Sequence, residues 1–134
     1  MIQYSQIRRY ETEKYLLASI PTKGNPVKET LFVYGTLAPN RPNAHILEEI
    51  GGTWQEGIVT GELRSEGWGA QMGYPGIVLD ASGNEIAGFL FTSEHLADHW
   101  DMLDDFEGVE YQRVITQAKL TDGSIVAAHI YTLR

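Results

Sequence analysis

In the stretch Thr30-Leu31-Phe32-Val33-Tyr34-Gly35-Thr36-Leu37, apolar and β-branched side chains follow one another without alternation and stop at a glycine. That is the pattern of a buried strand running directly into a turn. Such a turn can leave successive backbone N–H groups pointing into one concavity, where they bind a carboxylate or an oxyanion. An ordinary strand-ending turn is the other reading of the same residues.

Downstream, Pro39-Asn40-Arg41-Pro42 is stiff loop, and Asn43 can cap a short helix that runs to Ile50 and stops at Gly51. From Thr53 to Ser93 the rhythm is that of a meander. Short β-like runs at Gly57–Leu63, Gly76–Leu79 and Ile86–Thr92 are separated by glycine-rich turns, which predicts a small barrel or curled sheet. Ser93 is placed to cap a second helix with Leu96, Ala97, Trp100 and Leu103 on one face and Gly108 as its stop. Two strands, Tyr111–Leu120 and Ser124–Leu133, follow around the hairpin signal Thr121-Asp122-Gly123. Helices and strands do not alternate, so a doubly wound sheet is disfavoured and the expected class is α+β, a small mixed β-barrel flanked by two or three helices.

Upstream, residues 1–29 read as an N-terminal extension and residues 30–134 as the domain. Ile7, Tyr10, Lys14 and Leu17 have helical spacing, and Pro21–Pro26 reads as a turn or linker. The two parts differ in charge. The whole chain of 134 residues is at −8, yet residues 1–29 hold five bases and three acids, against five bases and fifteen acids in residues 30–134. An acidic body argues against duplex nucleic acid, because phosphate neutralisation needs Lys and Arg in excess. It also disfavours an anionic membrane surface, and no run approaches the roughly 18 apolar residues of a membrane span. The basic extension has two natural docking places, its own acidic body or another copy of the chain. Without Cys there is no thiolate zinc site, disulfide or cysteine nucleophile, which fits a cytoplasmic protein.

A second place breaks a local rule. Leu103-Asp104-Asp105-Phe106-Glu107-Gly108 puts three acids at a helix C-terminus, where the macrodipole favours cations. The same field raises a carboxylate's pKa, and desolvation by an apolar neighbour such as Phe106 raises it further, which is how an acid becomes a base near neutral pH. Exposed acids on an acidic chain are the plainer alternative. Other constellations are weaker. His95 and His99 have the spacing of a zinc half-site but no third ligand, and there is no G-x-S-x-G elbow. Gly67-Trp68-Gly69 and Met72-Gly73-Tyr74 read as turns over a core. Tyr111 and Arg113 share a strand face, where Arg113 either locks a carboxylate structurally or faces a substrate.

Taken in order, Phe32–Leu37, Tyr74-Pro75-Gly76-Ile77-Val78, Gly88-Phe89-Leu90-Phe91, Leu103–Gly108 and Tyr111-Gln112-Arg113 resemble the γ-glutamylcyclotransferase-like superfamily, with its γ-glutamylamine cyclotransferases and AIG2-like members. The resemblance spans most of residues 30–133 and not the extension. It implies a β-barrel with a cavity at the Tyr34–Leu37 loop and an enzyme that releases 5-oxoproline from a small γ-glutamyl amine or peptide. Carried over by position, Tyr34, Gly35, Thr36 and Leu37 hold substrate and Glu107 accepts the proton, with Pro75, Gly76, Tyr111 and Arg113 as further candidates to line the site. No cofactor or metal is implied, since the substrate's own α-amine attacks its γ-carbonyl. A non-catalytic module binding a small carboxylate in the same cavity is the alternative.

Overall fold

The computed structural model describes residues 27–134, so the helix and the turn expected before Val27 lie outside the described residues. Six strands carry the chain: β1 (Glu29–Val33), β2 (Thr53–Arg64), β3 (Gly76–Leu79), β4 (Asn84–Ser93), β5 (Tyr111–Leu120) and β6 (Ile125–Leu133). They hydrogen-bond in the order β3-β2-β4-β1-β6-β5, and β2 also pairs with β5 at Gly57↔Leu120 and Ile58↔Lys119. That last contact closes five strands into a barrel, with β3 attached beside β2. Only the β1–β6 pair, at Leu31↔His129 and Phe32↔Ile130, is parallel.

The unbroken apolar run of β1 has a simple cause. Phe32 points into a cluster to which every strand contributes, with Val59, Ile77, Ile86, Leu90, Ala118, Ala128 and Ile130. Leu31 and Val33 point the other way, into a second cluster roofed by the helices. A central strand between two cores has no polar face to show.

The roof is two short α-helices. α1 (Ala44–Ile50) buries Ala44, Ile46, Leu47 and Ile50, and ends at Gly51, whose φ of +83° suits glycine. Asn43 stands at its start but makes no side-chain cap, and its buried amide nitrogen has no partner among the described residues. Its backbone N–H goes instead to the Thr36 carbonyl at 2.8 Å, which fixes the loop rather than the helix. α2 (Trp100–Glu107) begins seven residues later than its cap signal predicts. Ser93 does receive the His95 N–H at 3.0 Å, but it caps only a 3₁₀ turn at Leu96–Asp98. There the His95 carbonyl lies 2.7 Å from the His99 ring Nδ1, a side-chain bond that competes with the next helical turn. This contact also occupies the pair that had half a zinc site's spacing. A further 3₁₀ segment, Trp68–Met72, occupies one of the stretches read as turns over a core.

Candidate active site

β1 ends where the helix roof meets the barrel, and the chain turns there through residues 35–43. Bonds from Ala38 N–H to Gly35 O (3.1 Å), Arg41 N–H to Ala38 O (3.1 Å) and Asn43 N–H to Thr36 O wind this loop tightly. The N–H groups of Gly35, Thr36 and Leu37 have no acceptor among the described residues. They border a cavity of about 40 Å³, lined by the Tyr34–Leu37 loop, Trp68, Gly69, Tyr74, Pro75, Glu107, Tyr111 and Tyr131.

Glu107 enters from the last position of α2. Gly108, at φ +86°, returns its N–H to Asp104 O at 3.0 Å and turns the chain away. The Trp68 indole N–H donates to the Glu107 carbonyl at 2.7 Å, satisfying one of the acceptors a helix end leaves open. Trp68 also packs edge-on against Phe106 and Tyr111. Surrounded in this way, the Glu107 carboxyl is pushed up from 4.5 to about 8. Burial is the cause; no hydrogen bond or neighbouring charge among the described residues opposes it. The helix field invoked from the sequence is not needed to explain the shift.

Of the residues singled out from the sequence, Tyr34, Gly35, Thr36, Leu37, Pro75, Tyr111 and Glu107 come together around the cavity, while Gly76 and Arg113 do not line it. Gly76 lies against Leu133, and an added Cβ would sit 2.5 Å from that side chain. Arg113 binds Asp104 through Nε (2.9 Å) and a terminal nitrogen (3.3 Å), and its guanidinium lies over the Trp100 ring at 4.4 Å. Burial alone would raise Asp104, but the hydrogen bonds from Arg113 and Tyr131 and the guanidinium charge outweigh it and hold the carboxyl below its ordinary value. The Tyr131 hydroxyl donates to Asp104 at 2.6 Å, and its backbone carbonyl accepts from the Tyr34 hydroxyl at 2.6 Å. Tyr34 also accepts the Ile77 N–H at 3.1 Å. Its phenol is thus spent on tying β1 to β3 and β6, and burial drives its pKa further up.

Trp68, Gly69, Tyr74 and Tyr131 were not legible as site residues. The glycine–aromatic clusters around positions 67–74 were the available signal; the Gly69 N–H meets the Tyr111 hydroxyl at 3.4 Å, a contact 42 residues apart. Among the described residues no group of three or more His, Asp or Glu side chains converges as a metal site, and no helix is long and apolar enough to cross a membrane.

A closed mixed barrel of five strands, with a small cavity holding an unpaired carboxyl opposite free backbone N–H groups, defines an acid–base site that needs no side-chain nucleophile. Over residues 31–134 the chain matches the family described as gamma-glutamyl cyclotransferase, AIG2-like, and it belongs to that family. Solved structures agree with the fold. A mouse AIG2-like protein is 25% identical with a TM-score of 0.61, covering 78% of this chain and 76% of that one. YkqA of Bacillus subtilis is 27% identical with a TM-score of 0.62; the match covers 81% of this chain but 36% of that one. An Arabidopsis thaliana protein is 20% identical with a TM-score of 0.63, over 84% of this chain and 66% of that one. No curated protein matches the sequence significantly.

Proposed function

We propose that the chain is a cyclotransferase that releases 5-oxoproline from a small γ-glutamyl compound. The observation that carries this is the Glu107 carboxyl, unpaired and with a pKa near 8, in the same cavity as the free N–H groups of Gly35, Thr36 and Leu37. The reaction asks for little else. The substrate's α-ammonium gives a proton to Glu107, the freed amine attacks the γ-carbonyl carbon, and the carbonyl oxygen takes the negative charge. When that intermediate collapses the amide C–N bond breaks, the lactam closes, and the proton held by Glu107 goes to the departing amine. A base with a pKa near 8 is matched to an ammonium and stays able to return the proton.

Backbone donors suit an acidic protein, since they stabilise an oxyanion without adding a cation. The cavity admits only a compact reacting end, and holding the γ-glutamyl chain folded supplies orientation that can be worth roughly 7–11 kcal/mol. The test is to incubate the protein with γ-glutamyl amines and γ-glutamyl dipeptides and assay 5-oxoproline. Release from at least one, lost in Glu107→Gln, is expected. Ligand-dependent thermal stabilisation without any product would identify a binding module instead.

A further inference from the structure

Resting on that reading, we propose that Arg41 selects the leaving portion of the substrate by binding a carboxylate next to the scissile amide, so that γ-glutamyl amino acids are preferred to simple γ-glutamyl amines. Residues 30–134 carry five cations in an acidic body. Four of them are engaged: Arg64 with Glu62 at 3.2 Å, Arg113 with Asp104, Lys119 with Glu85 at 3.6 Å, and Arg134 with the Tyr111 carbonyl at 3.0 Å. The Arg41 guanidinium has neither an acid nor a carbonyl acceptor among the described residues. It lies 5.8 Å from the centre of the Tyr74 ring, and Tyr74 is a wall of the cavity.

The placement of Arg41 is built into the backbone. It sits on the same wound loop that presents the Gly35–Leu37 N–H groups, between Pro39 and Pro42 and next to Asn40, whose φ is +63°. The prolines restrict the chain, and a ring face holds the planar guanidinium by a cation–π contact while leaving its edge donors free. Arg41 also borders a surface groove of about 570 Å³ that extends past Phe89 to Lys119. Glu56, Glu85 and Lys119 line the same groove, the last two paired with each other. The cavity is too small for more than the reacting end, so the departing half of the substrate lies outside it, beside Tyr74 and Arg41. A carboxylate there meets a guanidinium with unused donors.

Binding and turnover separate this inference from the reaction on which it rests. In the Glu107→Gln protein, calorimetry compares γ-glutamylglycine with γ-glutamylmethylamide, which differ only by the carboxylate. The expected result is about tenfold tighter binding of γ-glutamylglycine, lost in Arg41→Gln, partly kept in Arg41→Lys and weakened by added salt. Equal affinities, no measurable binding of γ-glutamylglycine, or a preference that survives Arg41→Gln would overturn it. Meanwhile the unaltered protein is assayed for 5-oxoproline from both compounds. Product from both without an Arg41-dependent preference leaves the reaction standing and removes the role of Arg41. An Arg41-dependent affinity with no product removes the reaction and keeps the carboxylate site.

Discussion

Glu107 is where sequence and chemistry meet at a single residue. Because its folded pKa of about 8 lies above the unfolded 4.5, the folded chain binds the extra proton between those values. The group therefore contributes its full stability below pH 4.5, and that contribution is lost as pH rises to 8. Glu107→Gln removes the dependence. Its melting temperature is expected to match the parent in acid and exceed it above pH 8, by a few kcal/mol at most, because water reaches the carboxylate through the cavity mouth. Activity moves the other way: kcat/KM should climb with pH through about 8, and Glu107→Gln should lower it by roughly 10²–10⁴ and flatten the climb. Gly35 makes a contrasting case. Its φ is not positive, and an added Cβ would meet nothing nearer than the Tyr74 Cβ at 4.0 Å. Gly35→Ala should therefore melt within about 1 kcal/mol of the parent while weakening substrate affinity, since the methyl group points across the cavity. Equal affinity in the variant would show that the glycine is not kept for the ligand.

At the scale of elements, α2 is the one whose position matters most. Its inner face is fixed by Trp100, Met102, Leu103 and Phe106, and its outer edge by the Asp104–Arg113 pair and the Tyr131 hydroxyl. Asp104 is one turn before Glu107, so this clamp sets how the end of the helix meets the cavity. Asp104 titrates below its ordinary value, so its contribution is present above the unfolded pKa of 3.8 and is lost as pH falls through the folded value. Asp104→Asn should destabilise by about 1 kcal/mol at pH 7, a modest amount because the side chain is 42% exposed, and the difference should shrink in acid. Denaturant titration at pH 7 and below pH 3 checks this; an undiminished difference in acid would mean that packing, not the charge pair, is responsible. Arg113 had two readings from the sequence. Spacing along one strand cannot say which helix will pack over its face, and Asp104 reaches it only across the α2–β5 contact.

For the molecule as a whole, everything depends on two pairs of residues that join β2 to β5. Gly57 permits the approach: a Cβ there would lie 2.9 Å from Leu90 Cδ1 and 3.1 Å from the Lys119 carbonyl. Gly57→Val should cost roughly 1–3 kcal/mol, read from the urea midpoint, by forcing β5 outward. Local pattern was sufficient for all six strands, the glycine stops at Gly51 and Gly108, the hairpin at Gly123 and both rule-breaking stretches, because periodicity, β-branching and turn chemistry act over a few residues. It mistook the start of α2, since the His95–His99 bond that holds the 3₁₀ turn is invisible to a cap signal. Closure of the sheet, the wall made by Trp68, Gly69, Tyr74 and Tyr131, the diversion of Arg113 to Asp104 and the burial that lifts Glu107 all needed the folded chain. Those features join residues tens of positions apart, and desolvation is a property of what surrounds a group in space, which no run of neighbours in sequence encodes.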